Sequence, residues 1–103
     1  MAVGPANVTQ PLPYCVYVLF SLKDGRLYIS YTTDLDQRVR THADGGVIST
    51  KFRRPFRLIY CEFHSSEIDA RRRETYFKTD KGKRALRLAL PDGLNLLSLL
   101  PTP

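Results

Sequence analysis

Tyr14-Cys15-Val16-Tyr17-Val18-Leu19-Phe20-Ser21-Leu22 is followed, beyond Asp24-Gly25, by Leu27-Tyr28-Ile29-Ser30-Tyr31. Both runs are rich in the aromatic and β-branched residues that suit a pleated, half-buried surface. Asp-Gly supplies the positive φ that a tight hairpin turn requires. Together they read as two antiparallel strands with Tyr17 and Tyr28 on neighbouring strands. The register stays open, because sequence alone does not fix it. Further along, Asp34 followed by Gln37 has the spacing of a capping box, which satisfies unpaired amides at a helix start. Leu35, Val39 and either His42 or Ala43 form the inward stripe of that helix, and Gly45-Gly46 ends it. Arg38 and His42, four residues apart, share one edge of the stripe.

Residues 47–57 read as a basic loop and residues 57–63 as a third strand. Ser65 or Ser66 caps a second helix that runs to about Lys78, with Glu67 and Asp69 near its positive end, as the helix dipole favours. A short third helix is expected over 83–90, stopped by Pro91. The order of elements is α+β: a small three-stranded antiparallel sheet flanked by helices, at least one face of which they must cover. Residues 1–13, with three prolines and no periodicity, read as a flexible arm, 14–90 as the folded domain, and 91–103 as a leucine-rich tail.

A chain of 103 residues is one domain. Its 16 Lys and Arg against 10 Asp and Glu give a net charge of +6, which favours a polyanionic partner such as nucleic acid. Only Cys15 and Cys61 occur, without a C-x-x-C or clustered Cys/His spacing, so two buried free thiols are expected and a zinc site is not. The first thirteen residues lack the basic start and apolar stretch of a secretory signal. The leucine-rich stretch 94–100 is too short to span a bilayer. A soluble, cytoplasmic protein is the expectation.

Ala70, Glu74 and Phe77 follow helical spacing, which sets an acid on or beside a packed stripe. A carboxylate facing the body of a domain needs a partner, because burying it alone is costly. Either an arginine, Arg38 or a neighbour, pairs with it, or it holds a metal ion. Arg38 itself is either solvated or grips a phosphate through its fork of donors. His42 is either a satisfied histidine or a proton acceptor near neutral pH. Lys51-Phe52-Arg53-Arg54-Pro55-Phe56-Arg57 interleaves cations with aromatics, and reads as either a solvated loop or a nucleic-acid contact.

In this order, Val16-Tyr17-Val18, Leu27-Tyr28-Ile29-Ser30-Tyr31-Thr32-Thr33-Asp34-Leu35, Arg38, His42, Ser49-Thr50-Lys51-Phe52-Arg53-Arg54-Pro55 and Asp69-Ala70-Arg71-Arg72-Arg73-Glu74 resemble the GIY-YIG nuclease superfamily. The likeness is to its small stand-alone bacterial members, similar to the N-terminal domain of a bacterial excinuclease, and covers about 14–90. The resemblance implies metal-dependent hydrolysis of a phosphodiester in a nucleic acid, DNA in the first instance, by a monomer or weak homodimer. Glu74 would hold Mg²⁺ or Mn²⁺, Tyr28 would help deprotonate the attacking water, and Tyr17 would orient that water or a phosphate oxygen. Arg38 would stabilise charge on the scissile phosphate, His42 would relay the proton from Tyr28, and Lys51, Arg53 and Arg54 would contact the nucleic acid. Ser30 stands where the family's second triplet ends in glycine, Val16 replaces the first triplet's glycine, and no asparagine occurs between Glu74 and Leu94. Ser30 motivates the alternative of a catalytically impaired nucleic-acid-binding or scaffold domain with the same fold.

Overall fold

The computed structural model describes residues 12–98, with side chains as far as Leu94. Most of the expected N-terminal arm, and the end of the tail, lie outside the described residues. Three strands, β1 (Tyr14–Ser21), β2 (Leu27–Thr32) and β3 (Phe56–His64), form one antiparallel sheet in the order β2-β1-β3. The expected α+β class and three-stranded antiparallel sheet are therefore present. β1 is central and covered on both faces, which is why its residues from Cys15 to Leu19 are all buried. Alternation along the strands sorts their side chains into two layers. Val16, Val18 and Ile29 belong to one, and Cys15, Tyr17 and Leu19, with Tyr28 against them, to the other.

The register that the sequence left open sets Tyr17 opposite Ser30 on β2 and opposite Cys61 on β3, with Leu19 opposite Tyr28. Asp24-Gly25 lies within a loop spanning 22–26 rather than a two-residue turn, and Gly25 takes φ +70° there. The loop is shaped by Ser21, whose buried hydroxyl accepts from the amides of Lys23 and Asp24 and donates to the Arg53 carbonyl at 2.7 Å. Cys15 and Cys61 are both free thiols, but Cys61 is only half-buried. Burial, reinforced by the neighbouring Cys61, pushes the Cys15 thiol up to about 12.

Helix α1 (Leu35–Ala43) starts as expected, with the Asp34 carboxylate accepting from the Gln37 amide at 3.1 Å. The basic loop contains a short helix, α2 (Ile48–Lys51), whose first carbonyls come from Val47 and need no side-chain cap. These two cover the Tyr17 layer. Helix α3 (Glu67–Lys78) is capped by Ser66 and, with α4 (Asp80–Ala89), covers the Val16 layer through Ala70, Phe77 and Leu86. α4 begins three residues before the expected Lys83, because Thr79 caps it by accepting from the Gly82 amide at 3.0 Å. α4 ends at Ala89, with Leu90 as its C-cap, just before Pro91 as expected; Pro91 then opens a further helix, α5 (Pro91–Ser98), a position where its missing N–H costs nothing.

Gly82 is buried where α3 hands over to α4, and a Cβ there would lie 2.0 Å from the Tyr76 carbonyl oxygen. Alanine is the better helix former by about 1 kcal/mol, yet the collision outweighs that gain. Gly82→Ala is expected to destabilise the protein by about 3 kcal/mol in urea unfolding; an unchanged or raised midpoint would show that the helices separate freely.

Candidate active site

Tyr17 is fully buried, and its hydroxyl lies 2.7 Å from Nε2 of His42, itself 1% exposed. On the far side of the ring, His42 Nδ1 lies 2.9 Å from Oγ1 of buried Thr50, which in turn lies 3.3 Å from the Val47 carbonyl. A carbonyl only accepts, so the Thr50 hydroxyl donates to Val47 and its oxygen accepts from His42 Nδ1–H. Nε2 is then the acceptor nitrogen and the Tyr17 hydroxyl donates to it. Every proton in this chain has one place to go. Burial pushes the Tyr17 phenol above its ordinary value, against the pull of Ser30 and Arg38. Burial, and then the charge of Arg38, pushes His42 below its ordinary value. Both groups are neutral at neutral pH.

Tyr28 meets the same imidazole differently, edge to face, with ring centroids 5.1 Å apart, and also packs on Phe56. Among the described residues no hydrogen bond holds its hydroxyl. Arg38 reaches the same layer from α1, and its Nε is buried without a hydrogen-bond partner. The sheet and α1 thus bring together Tyr17, Tyr28, His42 and Arg38.

Glu74 stands apart from them. On α3, Arg73 donates through Nε and Nη2 to both carboxylate oxygens of Glu62 on β3, at 2.8 and 3.0 Å. Towards the other edge, Arg71 stacks on the Tyr31 ring of β2 at 3.8 Å, and Glu67 accepts from the Tyr31 hydroxyl. These contacts fix the roll of α3. At about 100° per residue, Glu74 falls about 40° from buried Ala70, on the flank that faces β2. Its side chain is 13% exposed and pairs with Lys78 at 3.0 Å and Arg71 at 3.6 Å on its own helix. Among the described residues no hydrogen bond or ion pair joins it to Tyr17, Tyr28, Arg38 or His42. The sheet separates the layer of Tyr28 from the one packed by the helix that carries Glu74.

Among the described residues no group of three or more His, Cys, Asp or Glu side chains is disposed to hold a metal. Glu74 is a lone, partly accessible carboxylate. That fits a Mg²⁺ or Mn²⁺ site completed by water and phosphate oxygens, and does not fit a closed protein cage.

The three cations expected to meet nucleic acid are partly engaged within the protein. Arg53 grips Asp24 with Nε at 2.7 Å and Nη2 at 3.3 Å, which holds the Asp24 carboxyl down at about 2. Arg54 donates to the Lys51 and Ala43 carbonyls. Lys51 is exposed, with its ammonium 5.5 Å from the Phe52 ring centroid. Lys51, Arg54, Lys23, Phe52 and Phe56 border a hollow of about 490 Å³ that reaches His42. Nothing in the sequence gives Thr50 a role of its own, because a threonine in a basic loop carries no signal. The Glu62 clamp is equally silent there, since its members lie on two elements eleven residues apart.

The GIY-YIG catalytic domain profile matches residues 13–87, and the chain belongs to that family. It is 44% identical over 63 residues to the UPF0213 protein YazA of Bacillus subtilis, a match spanning 60% of this chain but only 64% of YazA. It is 42% identical over 74 residues to the UPF0213 protein SH2523 of Staphylococcus haemolyticus, spanning 71% of this chain and 89% of that one. The solution NMR structure of the UPF0213 protein BH0048 from Bacillus halodurans superposes with a TM-score of 0.51 at 36% identity, covering 86% of this chain and 98% of the other. These relatives are consistent with a small stand-alone group within a nuclease-like family.

Two outcomes test this geometry. Thr50→Val removes the acceptor for His42 Nδ1–H and leaves a buried donor unpaired, which should cost about 1–3 kcal/mol. It should also shift the two ring ¹⁵N resonances of His42, whereas Thr50→Ser should restore both readouts. For Glu62, burial favours the neutral acid, but the bonds from Arg73, His64 and Tyr60 together outweigh it and hold its pKa at about 2. A depressed carboxyl stabilises the fold above its unfolded value and loses that contribution as pH falls towards the folded value. The thermal midpoint should therefore drop between about pH 5 and pH 2, and Glu62→Gln should flatten that slope. An equally steep drop in the variant would remove Glu62 from the account.

Proposed function

We propose that the protein is a small endonuclease that hydrolyses phosphodiester bonds in DNA with one divalent ion, Mg²⁺ or Mn²⁺, held by Glu74. The observation that carries this reading is Arg38: a buried guanidinium nitrogen without a partner, in the same layer as two phenols. The Arg38 side chain as a whole is only partly buried, and a phosphate is the partner that a guanidinium fork fits best. Membership of the GIY-YIG family supports it independently.

Arg38 stabilises the negative charge that grows on the scissile phosphate. Tyr28 Oη, held by ring packing and not by a hydrogen bond, acts as the phenolate: its own proton is first released to solvent, and it then takes up the proton that the attacking water gives up. Tyr17 and His42 act behind it as positioning residues. With both His42 nitrogens engaged, the imidazole offers no free atom to relay a proton from Tyr28. The ion, when bound, offsets charge on the phosphate and on the leaving oxygen. DNA lying over the edge strand β2 would meet Tyr28 and Arg38 on one side and Glu74 on the other. Lys51, with the free donors of Arg53 and Arg54, contacts the strand nearby.

The impaired-scaffold alternative rests on Ser30. Among the described residues no residue other than glycine takes positive φ, so Ser30 sits in ordinary strand geometry that serine tolerates. Ser30 lies opposite Tyr17 in the strand register, beside the layer it would have to crowd. Two free thiols suit a reducing cytoplasm, and among the described residues no helix is long and apolar enough to cross a membrane. A monomer or weak homodimer suffices for this chemistry.

Glu74→Ala and Tyr28→Phe should each lower metal-dependent cleavage of labelled DNA by at least about a hundredfold. Wild-type cutting that survives EDTA, or persists in Glu74→Ala, would overturn the nuclease assignment. A gain on Ser30→Gly from a silent wild type would favour the scaffold alternative.

A further inference from the structure

Beyond the loop cations, a second group of charges converges at the far end of the hairpin. The loop 22–26 and α4 enclose a cleft of about 380 Å³ lined by Asp24, Arg26, Leu27, Arg53, Lys83 and Arg87. Asp24 is its one acid, and Arg53 already grips both oxygens of that carboxylate. Among the described residues Arg26, Lys83 and Arg87 form no ion pair. Arg87 is nevertheless held in place: its Nη2 donates to the Gly25 carbonyl at 3.1 Å, joining α4 to the hairpin across 62 residues of sequence. Three cations around one cleft, Arg87 among them held in place, repel each other, and an anionic ligand relieves that repulsion.

We infer that this cleft is a binding surface for the phosphate backbone of a nucleic-acid strand, one that extends the site past the end of the hairpin. The inference rests on the nucleic-acid reading above and adds residues outside the family motifs. Continuity argues for a strand over a small free anion. Arg53 belongs to the same segment as Lys51 and Arg54, which with Lys23 rim the hollow beside His42. Cations therefore flank both hollows, joined through the segment 51–54 and interrupted by the Arg53–Asp24 pair. A cleft with one apolar residue and several cations contacts phosphates and does not read bases, so binding there would be insensitive to sequence.

The test measures binding of a fluorescent oligonucleotide by anisotropy over a range of NaCl concentrations, without divalent ions. Three proteins are compared: wild type, Arg26→Gln/Lys83→Gln/Arg87→Gln, and a charge-matched control, Arg40→Gln/Arg72→Gln/Arg84→Gln. Each neutralised phosphate contributes about 0.7–0.9 to the slope of log affinity against log salt. The cleft variant should lose about 2–3 from that slope, and the control less than about 1. The side chains of Arg26 and Lys83 make no hydrogen bond among the described residues. The double variant Arg26→Gln/Lys83→Gln therefore carries the test should Arg87→Gln disturb the hairpin, with an expected loss of about 1.5. Equal slopes for the cleft variants and the control, with wild type binding normally, would overturn this inference alone. Failure of wild type to bind DNA or RNA at low salt would overturn the nucleic-acid reading as well.

Discussion

The hydrogen bond from Tyr17 to His42 is the constraint around which the candidate site is arranged. It lies between fully buried side chains, where water cannot substitute for either partner. A bond of this kind adds only about 1 kcal/mol net, but breaking one side of it strands a buried polar group at a cost of about 1–3 kcal/mol. The penalty favours one docking of α1 on the sheet, because a rotated helix would separate the imidazole from both the Tyr17 phenol and Thr50. Once α1 is set, Arg38 lies one turn before His42 on the same edge, and Tyr28 is wedged against the ring. The order of the site follows from satisfying one buried chain of donors and acceptors.

The other half of the site is fixed by charge on the opposite face. Arg73 with Glu62, and Arg71 with Tyr31, hold α3 from both sides, so Glu74 cannot turn away from the β2 flank without breaking one of them. Lys78 and Arg71 keep the carboxylate compensated. A divalent ion arriving there competes with two cations that are themselves largely solvated, and exposed pairs of that kind hold weakly. A lone compensated carboxylate can therefore serve as a metal ligand without a cluster of acids that would repel each other when empty.

Much of this was legible in the sequence, and the reasons differ by residue. The strands showed because β1 is a run of apolar residues bounded by turn signals, and α1 showed because Asp34 and Gln37 carry a capping pattern that acts locally. Glu74 could be set on the packed stripe of α3 because helical periodicity is a local property too. What stayed hidden depends on contacts distant in the chain. His42 could not be sorted between surface and core until Thr50, eight residues later, supplied its second partner. The pairing of Arg53 with Asp24 was hidden because the two lie 29 residues apart. Gly82 carried no signal of its own, because its role is a collision avoided with α3, and an avoided collision leaves no pattern.

Thr79 is at once the residue that ends α3 and the cap that begins α4. With Gly82 pressed against the Tyr76 carbonyl, the junction has no slack in which the two helices could hinge. They form a single bent lever, with the lysine and arginine of α4 on one arm and the Glu74 carboxylate on the other. The spacing between the cations of α4 and the acid of α3 is therefore set by the junction, and a ligand long enough to touch both would meet them at one fixed separation.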